Sequence, residues 1–117
     1  MKEVIAIIRP KRWTATKQKL TELKLSYTQC RVHGRGKQKG LKYLSRSKNG
    51  VLSESGVRTV PKRWITLAVS DDKVNETVQA IIQVNQTGSI GDGKIFVMPL
   101  EEAIRIRTGE TGAASIG

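Results

Sequence analysis

The spacing of apolar residues in the first third of the chain predicts a strand, a helix and a second strand. Residues 2–8 predict a strand, in which residues 4–8 are apolar at consecutive positions, as is typical of a central strand covered on both faces. Residues 13–24 place their large apolar side chains on one helical face and their charged ones on the other. Residues 25–32 contain no Gly or Pro and suit a strand.

A second strand–helix–strand pattern occupies the later part of the chain. Apolar and other residues alternate over residues 63–69, which predicts a strand covered on one face. Asp71 and Asp72 then stand where a helix N-terminus favours carboxylates, and apolar residues at i, i+4, i+7 and i+8 from Val74 predict a helix. After a glycine-rich turn, residues 94–98 predict a short last strand.

Between these two halves, residues 34–60 are rich in Gly, Lys, Ser and Arg and predict a long, mobile loop of the kind that is usually functional. The element order predicts an α+β, ferredoxin-like split βαβ fold (βαββαβ), with an antiparallel sheet and both helices on one face. No linker divides the 117 residues, so we expect one domain, 1–117.

Charge and composition limit the function further. The chain has 21 Lys+Arg against 10 Asp+Glu, a formal charge of +11, which favours an anionic partner. One Phe and the lack of an RNP-like aromatic pattern disfavour nucleic acid. The apolar run at residues 4–8 is too short for a signal peptide or a membrane span, and the single cysteine, Cys30, is expected to be a packed strand residue in a reducing compartment.

Three segments carry phosphate-binding chemistry. Residues 34–40 read GRGKQKG and residues 87–94 read TGSIGDGK, so each offers backbone N–H groups and lysines to an anion. Residues 105–110, RIRTGE, add two arginines. Taken singly, the first could be a flexible basic loop and the second an ordinary turn. Their coincidence in one small domain favours a phosphorylated ligand.

The sequence does not predict an enzyme. His33 is the only histidine, it adjoins a glycine, and neither a nucleophile–base pair nor a Cys/His metal set can be assembled. Nothing in the sequence perturbs the carboxylates that could serve acid–base roles, and these are expected to be solvated: Asp92, Glu101, Glu102 and Glu110.

The three segments, together with AIIRP at residues 6–10, resemble in order and content the nucleotide-site signatures of the PII nitrogen-regulatory signalling family. The resemblance spans nearly the whole chain. It implies a cytoplasmic homotrimer that binds ATP or ADP in clefts shared by two chains, with 2-oxoglutarate beside Mg-ATP. It also implies a T-loop at residues 36–60, a nucleotide loop at 87–94 and a C-terminal loop and tail at 105–117.

The resemblance also assigns residues by motif position. For ATP or ADP it implies Thr28, Gly36, Lys37, Gln38, Thr87, Gly91, Asp92, Gly93, Lys94, Arg105 and Arg107. For 2-oxoglutarate it implies Gln38, Lys39, Gly40 and Lys62, and for Mg it implies Gln38 together with the ATP phosphates.

Two departures from the common family pattern qualify these assignments. Ser55 stands near the position of the uridylylated T-loop tyrosine of many relatives, and the loop's only tyrosine is Tyr43, so uridylylation is not expected. Thr66 and Ala68 replace the usual adenine-pocket residues, so the adenine contacts are open.

The enlarged loop, PKR at residues 61–63 and VNQTG at 84–88 are most similar to the nitrogenase-associated branch of the family. This similarity implies that the protein, alone or as a hetero-oligomer with a paralogue, inhibits dinitrogenase when 2-oxoglutarate is low. The alternatives are a PII-type regulator of an ammonium transporter and, outside the family, a basic nucleic-acid-binding module. Neither nucleic-acid binding nor membrane insertion is expected.

Overall fold

The structure, a computed structural model, describes residues 1–36 and 59–117 in full and residues 41–46 and 52–57 as backbone strands. In chain order the elements are β1 (Lys2–Ile8), α1 (Trp13–Glu22), β2 (Thr28–Gly34), β3 (Leu41–Arg46), β4 (Leu52–Val57), β5 (Val60–Val69), α2 (Val74–Asn85) and β6 (Lys94–Pro99). Short 3-10 turns precede both helices, at Pro10–Arg12 and Asp71–Lys73, and a third covers Gly112–Ile116.

The main sheet has four antiparallel strands in the order β2-β5-β1-β6. Both helices pack against each other and contribute to one core, with Leu20 of α1 and Ile81 of α2 buried against the central strands. The ferredoxin-like split βαβ fold is therefore confirmed.

The two central strands supply alternate residues to this core. Val4, Ala6 and Ile8 of β1 are almost fully buried, and so are Ile65 and Leu67 of β5. Burying side chains of this size stabilises the fold by about 1.5–3 kcal/mol each. The period-2 pattern of residues 63–69 is thus the signal of a strand with one face on the helices.

The opposite face of the sheet is open within one protomer. Ile5 pairs with both Thr66 and Phe96, and these residues point away from the helices. Phe96 is 47% and Met98 39% exposed on this side. Cys30, in the edge strand β2, is exposed as well, so the prediction that it is packed is wrong for the protomer. Cys30 is exposed because β2 is an edge strand and because this face of the sheet is uncovered.

Neither helix is long. α1 has 10 residues and α2 has 12, and no helix within the described parts of the chain has the length and apolar composition that a bilayer crossing requires. Helix α1 ends at Glu22, two residues before its predicted end, because the chain reverses at Lys24, whose φ of 57° is left-handed. Strand β2 accordingly begins at Thr28, later than predicted.

The segment predicted as an irregular loop contains a hairpin. Strands β3 and β4 pair antiparallel, from Leu41 opposite Val57 to Arg46 opposite Leu52, and form a two-stranded sheet separate from the main one. Backbone hydrogen bonds can form such a ladder without an apolar face, and for that reason the sequence pattern did not indicate it. Residues 37–40, 47–51 and 58 lie outside the described part of the chain.

Candidate functional site

The loop that joins α2 to β6, residues 87–93, lies beside the end of β1. Three of its glycines have positive φ values: Gly88 at 84°, Gly91 at 103° and Gly93 at 108°. Gly93 is also packed against the β1 backbone, since a Cβ built there would lie 1.8 Å from the carbonyl oxygen of Ile7. Only glycine fits this position, because any side chain there would collide with the backbone of β1.

The carboxylate of Asp92 organises this loop, which we call the glycine loop. Its Oδ2 accepts hydrogen bonds from the backbone N–H groups of Thr87 at 2.7 Å and Gly88 at 2.9 Å. Its Oδ1 accepts from the Thr87 hydroxyl and from the Arg9 guanidinium at 2.7 Å. The Thr87 side-chain and backbone hydrogen bonds, followed by those from Gly88 and Arg9, lower the pKa of Asp92 to about 2. The carboxylate therefore stays ionised and fixes the loop.

Two cations from the sheet hold the other side of the glycine loop. Arg9, directly after β1, donates from Nη2 to the carbonyl oxygen of Ile90 at 2.9 Å in addition to its ion pair with Asp92. Lys62, in β5, donates from Nζ to the carbonyl oxygen of Gly91 at 2.9 Å. Burial, and secondly the charge of Arg9, lower the pKa of Lys62 below its usual value, while Asp92 acts in the opposite direction. An anion bound beside Lys62 would offset the repulsion between the Lys62 ammonium group and the Arg9 guanidinium.

A cavity of about 580 Å³ opens between the glycine loop and the end of β2. Among the described residues, its wall has three basic side chains, four glycines and a single carboxylate, that of Asp92. These residues are Ile7, Gly34, Arg35, Gly36, Lys62, Ser89, Ile90, Gly91, Asp92, Gly93 and Lys94. The volume falls within the roughly 300–1,000 Å³ usual for small-molecule sites. Because Asp92 is already paired, the unbalanced charge is positive, and the donor set fits a polyphosphate or carboxylate ligand.

The C-terminal loop, residues 104–111, is built differently. An isolated bridge joins Ile104 to Thr111, and Arg105 donates to Glu110 Oε1 at 3.3 Å and to the carbonyl oxygen of Gly117 at 2.8 Å. Arg107 is exposed, and Ile106 is 99% exposed. Neither Arg105 nor Arg107 is among the residues that line the cavity of their own protomer.

The predicted site residues are thus only partly brought together. Gly36, Lys62, Gly91, Asp92, Gly93 and Lys94 share the cavity, and Thr87 is bonded to Asp92 just behind it. Thr28 lies apart from them, exposed at the start of β2 on the open face, opposite Thr66. Lys37, Gln38, Lys39 and Gly40 lie outside the described residues.

The metal prediction rests on Gln38 and so lies outside the described part of the chain. Among the residues the structure describes, no group of three or more His, Cys, Asp and Glu side chains is arranged to hold a metal ion.

Two residues of the site escaped the sequence analysis. Arg9 was recognised only as part of the segment AIIRP, although it forms the ion pair that joins β1 to the glycine loop. Arg35 lines the cavity beside Gly36 but was taken as a neighbour of the motif residues. For Arg9, the signal was a cation between a buried strand and Pro10, which fixes it at the strand end.

Comparison with known proteins agrees with this geometry. Residues 1–110 match the family model described as "Nitrogen regulatory protein P-II". The chain is 45% identical to "Nitrogen fixation nifHD region GlnB-like protein 2" of Methanobacterium ivanovii, over 99% of both chains. It is 46% identical to the protein of the same description from Methanothermobacter marburgensis, over 99% of this chain and all of the relative.

A bacterial relative, "Nitrogen regulatory protein P-II" of Rhodospirillum rubrum, is 44% identical over 99% of this chain and all of its own length. The family match covers the sheet, both helices and all three segments that carry phosphate-binding chemistry. The chain therefore belongs to the nitrogen regulatory protein P-II family.

Proposed function

We propose that the protein is a PII-type sensor that binds ATP or ADP, and 2-oxoglutarate with Mg-ATP, at the cavity beside the glycine loop. Through its T-loop it controls a target protein of nitrogen fixation in the cytoplasm, and it inhibits dinitrogenase when 2-oxoglutarate is low. It acts by binding and is not an enzyme. The carrying observation is that residues from both ends of the T-loop segment, Gly36 and Lys62, line one cavity with the glycine loop.

The electrostatics of the cavity support an anionic ligand. Lys62 and Lys94 are both in the wall, Arg35 adds a third positive charge, and Asp92 is neutralised by Arg9. A polyphosphate would replace the mutual repulsion of these cations by charge-assisted hydrogen bonds. The glycines of the wall leave room for close approach of its oxygens to the backbone.

The position of the T-loop in the chain supports coupling between ligand binding in the cavity and binding of a target protein. Strand β2 ends at Gly34 and β5 begins at Val60, opposite each other in the ladder, and the β3–β4 hairpin lies between them in the chain. A ligand that changes the geometry at Gly36 or Lys62 changes the base of this hairpin. Coupling of this kind is typically worth about 1–3 kcal/mol, by linkage in both directions.

The open face of the sheet supports assembly into trimers, either of one chain or with a paralogue. Phe96 and Met98 expose apolar surface beside Ile5, whereas the central strands are buried on the helix side. Burying this face against neighbouring copies would add the core that a small domain lacks. In such a trimer Arg105 and Arg107 would complete the cavity of a neighbour.

The names of the relatives favour nitrogen fixation as the process. Two relatives carry the words "Nitrogen fixation nifHD region" in their descriptions, and the Rhodospirillum rubrum protein is described as "Nitrogen regulatory protein P-II". A dinitrogenase is the target we propose, and an ammonium transporter is the alternative that a pull-down would reveal. A nucleic-acid partner is disfavoured because Trp13 and Tyr27 contact each other edge to face and pack against the core.

Calorimetry tests the sensor. We expect 2-oxoglutarate to bind only with Mg-ATP present, and Lys62→Ala to weaken 2-oxoglutarate by about tenfold or more, because it removes a charged hydrogen bond. ATP affinity should fall less, through the lost bond to Gly91. Lys17→Ala, at an exposed lysine of α1, is the matched control and should change neither affinity. Binding of 2-oxoglutarate that is independent of Mg-ATP, or absent, contradicts the proposal.

A pull-down from a nitrogen-fixing extract tests the target. The full chain should retain dinitrogenase with ATP and release it when Mg-ATP and 2-oxoglutarate are added together. Deletion of residues 42–59 should abolish retention but leave ATP binding intact. Recovery of an ammonium transporter instead of dinitrogenase would favour the alternative function, regulation of that transporter. Recovery of either target that does not depend on the ligands contradicts the release mechanism.

A further inference from the structure

Two arginines stand opposite each other on the helix side of the sheet, away from the cavity, and a third adjoins Trp13, the residue whose ring one of them covers. Arg31 of β2 stands directly opposite Arg63 of β5, and Arg63 is opposite the buried Ile8 of β1, which sets both on the core-facing side. The guanidinium of Arg63 lies 5.6 Å from the ring centroid of Trp13. Arg12 directly precedes Trp13. We call Arg12, Arg31 and Arg63 the arginine surface.

The protein does not neutralise this charge from its described residues. Arg9 and Arg105 each have a carboxylate partner, whereas no described carboxylate forms an ion pair with any member of the arginine surface. Like charges directly opposite each other on two strands are destabilising. Arg63 donates only to the neutral Gln29 Oε1, at 2.7 Å, and the Nε atoms of Arg12 and Arg63 are buried without an acceptor.

The arginine surface is separate from the nucleotide site. Lys62 and Arg63 are neighbours in β5 and so point to opposite sides of the sheet. Lys62 lines the cavity, and none of the three arginines does. A ligand at one place therefore does not occupy the other.

The chemistry of this surface selects its occupant. Guanidinium groups bind carboxylates through paired N–H donors, and a surface outside a cavity, with Arg31 exposed and Arg12 and Arg63 half-buried, suits an extended macromolecular partner better than a small molecule. Base stacking has no platform here, because the Trp13 ring is covered by Arg63 and met at 84° by Tyr27. We propose that the arginine surface docks an acidic, Asp/Glu-rich segment of a partner protein, as a contact additional to the T-loop.

Fluorescence polarisation with the full-length protein and a labelled Glu-rich peptide, at an ionic strength of about 0.15 M, tests this proposal. Arg31→Gln should weaken the peptide by about tenfold, because one charge-assisted contact is lost. Arg31 is exposed and its side chain makes no described hydrogen bond, so the variant should keep the melting temperature. Lys17→Gln removes the same charge from the outer surface of α1 and should change affinity less than about twofold.

Two further measurements decide between alternatives. Saturating Mg-ATP should leave peptide affinity unchanged, and a single-stranded RNA of equal charge should bind more weakly than the peptide. Arg63→Lys keeps the charge but not the planar fork, and should weaken the peptide by an intermediate amount. The proposal is overturned by equal effects of Arg31→Gln and Lys17→Gln, by displacement with ATP, by tighter binding of RNA, or by no binding of the peptide.

Discussion

The glycine loop and the C-terminal loop both offer glycines and cations, yet the protomer holds them in opposite ways. The glycine loop is bound to the sheet by Arg9 and Lys62 and internally by Asp92. The C-terminal loop is closed mainly on its own residues, through Arg105, Glu110 and the terminal carbonyls. The glycine loop has contacts to residues 29 and 83 positions away, whereas the side-chain contacts of Arg105 reach no further than 12 residues along the chain.

This difference separates a loop whose geometry is already fixed within one chain from a loop that is not. The glycine loop reaches its working geometry before any ligand or partner arrives, since its carbonyls and carboxylate are already bonded. The C-terminal loop leaves Arg107 and Ile106 facing solvent. We infer that the first loop is the preorganised wall and that the second acquires its role on assembly.

The largest expected effect comes from adding one methyl group to each loop. Gly93→Ala places a Cβ 1.8 Å from the Ile7 carbonyl oxygen at a φ of 108°, so backbone must move, and we expect a loss of about 3 kcal/mol or more of unfolding free energy together with ATP binding. Gly109→Ala also has a positive φ, 72°, but nothing lies within 4 Å, so about 1–2 kcal/mol is expected. Urea unfolding measures both.

Equal losses for the two substitutions would show that φ alone sets the cost. In that case the contact between Gly93 and β1 would not distinguish the glycine loop from the C-terminal loop.

The next effect tests whether the two loops meet across chains. Arg107→Gln should lower ATP affinity by about ten- to a hundredfold without a change in melting temperature, because its side chain has no described partner in the protomer. Lys94→Gln should weaken ATP similarly from the other wall. Trimers mixed from the two variants should regain clefts of wild-type affinity, since some clefts then combine two intact loops. If every cleft in the mixed trimers binds ATP with the lowered affinity of the variants, the proposal that two chains share each site is wrong.

The sequence predicted the sheet and the helices because these follow from local patterns, whereas most residues of the cavity wall were assigned through the family resemblance. Alternation in β5 and helical spacing in α2 report which side faces the core, and Gly and Lys mark the loops. The contacts that join distant segments were not predictable: Arg9 and Asp92 are 83 residues apart, and Asn85 donates to the Thr16 hydroxyl from 69 residues away. The β3–β4 hairpin was missed because backbone pairing leaves no apolar pattern.

The smallest expected effect compares the acidic residue that stabilises each loop, Asp92 in the glycine loop and Glu110 in the C-terminal loop. Asp92 has a pKa of about 2 in the folded protein against an ordinary 3.8, so its stabilising bonds are fully present above about pH 4 and are lost as the pH falls through about 2. Asp92→Asn should therefore be less stable at neutral pH and show a flatter stability curve between pH 4 and 2.

Glu110→Gln, which removes an exposed ion pair of 3.3 Å, should cost less than about 1 kcal/mol at neutral pH. Asp71, whose pKa is lowered chiefly by its hydrogen bond with the N-terminal ammonium, titrates in all three proteins and cancels in the difference. Denaturant unfolding across this range measures the two differences. If Glu110→Gln flattened the acid curve as much as Asp92→Asn, the C-terminal loop would be held as firmly as the glycine loop, and its completion by a neighbouring chain would lose its physical basis.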